Sequence, residues 1–168
     1  MGRRFVGCWR WRWCLRVALD TNVLAYAEGV DDDWRKGHAA HLIKLIGSEN
    51  LLLSSQVAGE FYNVLTRKDR KSRSEAARIV EEWVDTLPFV SHQPATFVAA
   101  LRLARDHKFQ IRDALIICVA AETGCRLVLS EDMQDGFVYR GVTIANPFAE
   151  TPHPLLASLL KTLSEAPE

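Results

Sequence analysis

Five acids stand where this sequence can do chemistry. Asp20 ends the apolar run Val17-Ala18-Leu19, Glu60 lies beside an apolar stripe, and Asp113 opens a long apolar segment. Asp132 and Asp135 come after the apolar Leu127-Val128-Leu129. Each has an ordinary alternative: Asp20 and Asp113 suit helix N-caps, and Glu60 suits a solvated rim. Brought together, however, several carboxylates repel and raise one another's pKa, and a hard divalent cation removes that cost. All-oxygen ligands suit Mg²⁺ or Mn²⁺ rather than zinc. Such a cation can bridge a phosphate, activate water and stabilise an in-line displacement.

The elements that must position these acids alternate between strand and helix. Strands are expected near 16–19, 51–53, 89–91, 126–129 and 142–145. Helical periodicity covers 21–28, 34–47, the stretch after Ser54 or Ser55, 74–87, the stretch opened by Pro94, and the apolar run from Asp113. In the Pro94 helix, Phe97, Ala100, Leu101 and Ala104 are expected to face inward. The helix from Asp113 is apolar all round, so it should be central and buried. His38 and His41 read as surface or groove residues. Strands separated by helices imply an α/β fold with a parallel sheet and right-handed crossovers. Ligands then bind beyond the carboxyl ends of the strands, where Asp20 and Asp132 fall.

The length of 168 residues fits one domain. Residues 1–16 hold five of the 21 basic side chains and no acid, leaving 16 basic against 21 acidic over the rest. Bulk charge therefore does not attract a polyanion; a local patch or a bound cation must do so. Arg67, Lys68, Arg70, Lys71 and Arg73 form such a patch, read either as a solvated loop or as an RNA or partner contact. The four cysteines show no close C-x-x-C pair, and Cys118 reads as a core residue. No apolar run is long enough for a bilayer, so a cytoplasmic protein with no membrane role is expected. Residues 1–14 alternate Trp and Arg and look foreign to the rest of the chain. Their composition points to a wrong start site, with initiation at Leu15 or Val17, rather than to a nucleic-acid arm. Residues 15–148 form the expected domain, and 149–168 a Pro-broken tail with one small amphipathic turn.

Four segments, in this order, resemble the PIN-domain ribonucleases, and most closely the VapC toxins of type II toxin–antitoxin pairs. They are Leu-Asp-Thr-Asn-Val-Leu (19–24), Gly-Glu-Phe-Tyr-Asn-Val-Leu (59–65), Asp-Ala-Leu-Ile (113–116) and Leu-Ser-Glu-Asp-Met-Gln-Asp-Gly (129–136). The resemblance spans about residues 15–148. It implies a three-layer sandwich: a central parallel sheet of four to five short strands, flanked by helices. It implies Mg²⁺- or Mn²⁺-dependent RNA hydrolysis, leaving 5′-phosphate and 3′-hydroxyl ends. By motif, Asp20, Glu60 and Asp113 match the three core acids. Asp132 matches the more variable fourth, with Ser130 as the hydroxyl of Thr/Ser-x-Asp, and Asp135 is a second candidate there. Thr21 and Asn22 match residues that brace the first acid. A cognate antitoxin and a homodimer are further implications.

Two other classes compete with a nuclease. A catalytically silent PIN-like module would grip RNA or protein without cutting, but such a copy is expected to lose acids, and all four are present. A phosphoaspartyl enzyme usually carries Asp-x-Asp after its first strand, whereas position 22 is Asn.

Overall fold

The computed structural model describes residues 15–165; the expectations for residues 1–14 lie outside the described residues. Strand β1 (Arg16–Leu19) leads into helices α1 (Thr21–Ala27) and α2 (Asp33–Ile46). Strand β2 (Leu51–Ser54) precedes α3 (Ser55–Arg67) and α4 (Arg73–Thr86), and β3 (Phe89–Val90) precedes α5 (Pro94–His107) and α6 (Ile111–Glu122). Strands β4 (Cys125–Leu129), β5 (Val138–Tyr139) and β6 (Val142–Ala145) come next, and then α7 (Pro154–Ser164). The architecture is α/β, with a mostly parallel sheet flanked by helices.

The sheet order is β3-β2-β1-β4-β6-β5. All neighbours run parallel except β5, which pairs antiparallel with β6. Among the described residues six strands form where four to five were expected; the added β5 has only two residues, too few for an alternating pattern to register. From β1 the chain steps outward to β2 and β3, then returns to lay β4 on the other side of β1. The crevice between the carboxyl ends of β1 and β4 is thus a topological switch point, where open α/β sheets bind ligands.

Local chemistry explains the elements that frame this crevice. Ser54 caps α3, its side chain accepting from Val57 N at 3.3 Å. Phe61, Val57 and Leu65 then enter the core on one stripe. Helix α6 buries every residue from Ala114 to Ala120 and packs against β1, β2, β4 and β6. Gly124, at φ +75°, turns the chain from α6 into β4, a conformation a side chain would strain.

Three expectations need correction. Phe97 and Leu101 are 40% and 48% exposed, while Thr96, Ala100 and Leu103 are the buried residues of α5. Two overlapping apolar stripes run along this helix, and the one with small residues packs closely on α6. Thr96 Oγ1 donates to Glu122 Oε2 at 2.6 Å across that contact. Asp113 is not the cap of α6: the helix begins two residues earlier, placing it in the first turn. Finally, the small turn expected in the tail is a helix of 11 residues, α7, which packs on α2 and buries Leu156.

Candidate active site

Asp20 stands at the end of β1 and at the N-cap of α1. Its backbone N–H donates to Leu129 O at 3.0 Å, tying the ends of β1 and β4 together. Its Oδ1 accepts from Thr21 N at 2.6 Å, and its Oδ2 accepts from Ser130 Oγ at 2.6 Å and Asn22 Nδ2 at 3.2 Å. The carboxylate is thereby oriented from three sides while only 7% of the residue is exposed. Burial pushes its pKa up to about 6, with the Asp113 and Glu60 charges adding to the rise. The hydrogen bonds from Ser130 and Thr21 oppose it.

Glu60 comes from the middle of α3, which begins at the carboxyl end of β2. Thr21 Oγ1 donates to its Oε2 at 3.2 Å, and Gln56 Nε2, one turn earlier, donates to its Oε1 at 3.1 Å. Asp113 enters from the first turn of α6. Its pKa is also raised, first by burial and then by Glu60 and Asp132, with Arg112 pulling the other way. Asp132 lies in the turn after β4, where Asn22 Nδ2 donates to its Oδ2 at 3.3 Å.

These four acids line one cleft of about 880 Å³, together with Thr21 and Asn22. Asp135 does not line it. Its Oδ1 accepts from Asn146 N at 2.7 Å, so it fastens the turn after β4 to the end of β6. Ser130 is fully buried behind Asp20, and its Oγ also accepts from Met133 N at 3.2 Å. The same turn is held from outside by Glu131, which accepts from Tyr26 Oη and from Arg35 Nη2, the latter at 2.7 Å. The Arg35 guanidinium holds the Glu131 carboxyl below its ordinary range.

Of the five clustered bases, Arg67 and Lys68 line the acid cleft. Lys71 and Arg73 line a neighbouring depression of about 570 Å³ that shares Asn63 and Arg67 with it. Arg70 lines neither, and Lys71 is paired with Asp69 at 2.7 Å. His41 is exposed, while the His38 ring stacks on Trp34 and its Nε2 meets Pro147 O at 2.8 Å.

The donor set fits a hard divalent cation in chemistry and charge: four carboxylates in one cleft, two of them destabilised as anions. Among the described residues, no three His, Cys, Asp or Glu side chains form a ready-made metal cage. A side-chain cation is present instead. Arg112, absent from the sequence-based reading, also lines the cleft, with its Nε 3.7 Å from Glu60 Oε1 and 3.8 Å from Asp113 Oδ1. Its place directly before Asp113 was the available signal. Gln56 was missed too, although its position four residues before Glu60 marks it as a partner.

A parallel sheet with acids at its switch point defines a fold family, and the sequence profile of the PIN domain matches residues 17–135. The chain belongs to the PIN domain family. Among solved structures, it is similar to Mycobacterium tuberculosis VapC20, a Sarcin-Ricin loop cleaving toxin, at 18% identity and a TM-score of 0.57. That match covers 67% of this chain and 86% of VapC20. A toxin-antitoxin complex from Klebsiella pneumoniae matches at 14% identity and a TM-score of 0.59, covering 79% of this chain and 98% of that one. VapBC2 from Rickettsia felis, bound to a DNA fragment from its promoter, matches at 14% identity and a TM-score of 0.57, covering 77% and 97%. Curated protein sequences give no significant match. Among the described residues, no helix is long and apolar enough to cross a membrane.

Proposed function

We propose that this protein is a metal-dependent endoribonuclease that hydrolyses RNA phosphodiester bonds, and that it is the toxin of a toxin–antitoxin pair. The observation that carries this reading is the single cleft that holds Asp20, Glu60, Asp113 and Asp132 beside Arg67 and Lys68. An acidic cleft alone repels RNA; with a bound Mg²⁺ or Mn²⁺ and a cationic rim, it binds a phosphate and directs it to the carboxylates.

In this reading the four acids hold the cation, which when bound neutralises phosphate charge and lowers the pKa of water. Ser130, Thr21 and Asn22 fix the carboxylate orientations, so Asp20 presents the same face without rearrangement. Asp135 is assigned to loop anchoring. Arg67 and Lys68 meet the phosphate backbone, and Lys71 and Arg73 extend that track; Arg70 lies off it. The likeness to VapC20 supports an RNA substrate, and the likeness to toxin-antitoxin complexes supports a cognate antitoxin; a homodimer is proposed from the family resemblance alone. A cytoplasmic location goes with that reading.

The test is cleavage of single-stranded and transfer RNA by antitoxin-free protein, with Mg²⁺, with Mn²⁺ and with EDTA, comparing wild type and Asp20→Asn. Cutting that needs the cation and is lost in the variant is expected. RNA retention without cutting in Mn²⁺ would replace this reading with a silent binding module.

A further inference from the structure

Two arginines near the cleft differ in a way that bears on function. Arg35 is locked: its Nη2 and Nε reach Glu131 Oε1 at 2.7 and 3.2 Å, and its Nη1 reaches Asp32 at 2.5 Å. Arg112 is not. Its contacts with Glu60 and Asp113, at 3.7 and 3.8 Å, exceed hydrogen-bond length, and its side chain is 54% exposed. Adjacent residues on a helix do not face each other, so an Arg112–Asp113 contact requires the guanidinium to fold back over the cleft.

Its two partners are placed to remain when it leaves. Glu60 keeps hydrogen bonds from Gln56 and Thr21, one on each oxygen. Asp113 keeps its place on the backbone in the first turn of α6. The positive charge beside them is thus held by attraction alone, in the cleft whose carboxylates would hold a cation.

We infer that Arg112 is a resident counter-ion for the cation site, and that a divalent ion enters by displacing its guanidinium from beside Glu60 and Asp113. This inference rests on the metal reading above. It assigns Arg112 a positioning role: it neutralises the acids of the metal-free cleft and sets the concentration at which the ion takes over. A mutual attraction across two loose, half-exposed ion pairs is modest, so the competition is worth about threefold to tenfold in cation affinity.

The test is Mn²⁺ binding to the full chain without RNA, read by electron paramagnetic resonance at fixed pH and low salt. Wild type, Arg112→Gln, Arg112→Lys and Asp20→Asn are compared. Arg112→Gln should bind Mn²⁺ about threefold to tenfold more tightly than wild type, with Arg112→Lys close to wild type. The exposure of Arg112 makes both variants compatible with the fold, which circular dichroism checks. Equal or weaker binding by Arg112→Gln, with wild-type binding intact and lost in Asp20→Asn, overturns this inference and leaves the metal reading standing. No Mn²⁺ binding by any of the proteins overturns both.

Discussion

Ser130 Oγ lies 2.6 Å from Asp20 Oδ2 and donates to it, joining the ends of β4 and β1 across 110 positions of sequence. Both residues are buried, so the bond is formed out of water's reach. Ser130→Ala removes this donor and leaves Met133 N without its acceptor. The expected loss of stability is about 1–3 kcal/mol, the usual cost of stranding buried polar groups. Chemical denaturation of the metal-free protein measures it. The same variant should also push the Asp20 carboxyl higher than about 6, because the Ser130 bond lowers it.

Asp20 makes the metal-free protein sensitive to pH in a defined direction. Its folded pKa of about 6 lies above its ordinary 3.8, so between those values the folded state holds a proton that the unfolded state releases. Stability therefore falls as pH rises through this window and is level above it, with a total of about 3 kcal/mol from this group. Asp20→Asn removes the ionisation. Its stability advantage over wild type should grow from about pH 4 to about pH 6.5 in EDTA and shrink when Mn²⁺ is added, as followed by thermal unfolding.

Asp132 and Asp135 are three residues apart, and their variants should separate cleanly. Asp132→Asn is expected to keep wild-type stability and to lose most Mn²⁺ affinity and RNA cleavage. Asp135→Asn weakens the bond to Asn146 N, costing about 1 kcal/mol in stability while cleavage persists. Paired denaturation and cleavage assays give the comparison.

Arg67 lines both depressions and Arg70 neither. In an Asp20→Asn background that binds RNA without cutting, Arg67→Ala should lower RNA affinity. It should also reduce the slope of log affinity against log salt by about 1. Arg70→Ala should leave both unchanged. Filter binding at several salt concentrations reads the two effects.

Much of this arrangement was legible in the sequence because its signals are local. An apolar run ending in Asp20, a serine before the α3 stripe and the unbroken apolar α6 each declare an element through its own residues. What was not legible depends on contacts between distant segments. The Ser130-x-Asp132 spacing points to Asp132 but does not dispose of Asp135; it is the path of β6, bringing Asn146 N to Asp135, that ties the second acid down outside the cleft. In α5, two stripes share the same period, and only the approach of α6 decides that Ala100 is covered and Leu101 is not. Arg112 escaped notice because its importance lies in the direction its side chain takes, across Glu60 as well as its own neighbour.

The order of the strands also bears on how the protein is made. β1 is synthesised early, yet its neighbour on one side is β4, which emerges more than a hundred residues later. Until then Asp20 lacks the Ser130 hydroxyl, and Asp132 does not yet exist. A growing chain carries three of its acids without the strand that aligns them with the fourth. The full set of four acids is therefore assembled only after β4 and the turn behind it have been made, and a fragment truncated before β4 has neither the strand nor the fourth acid.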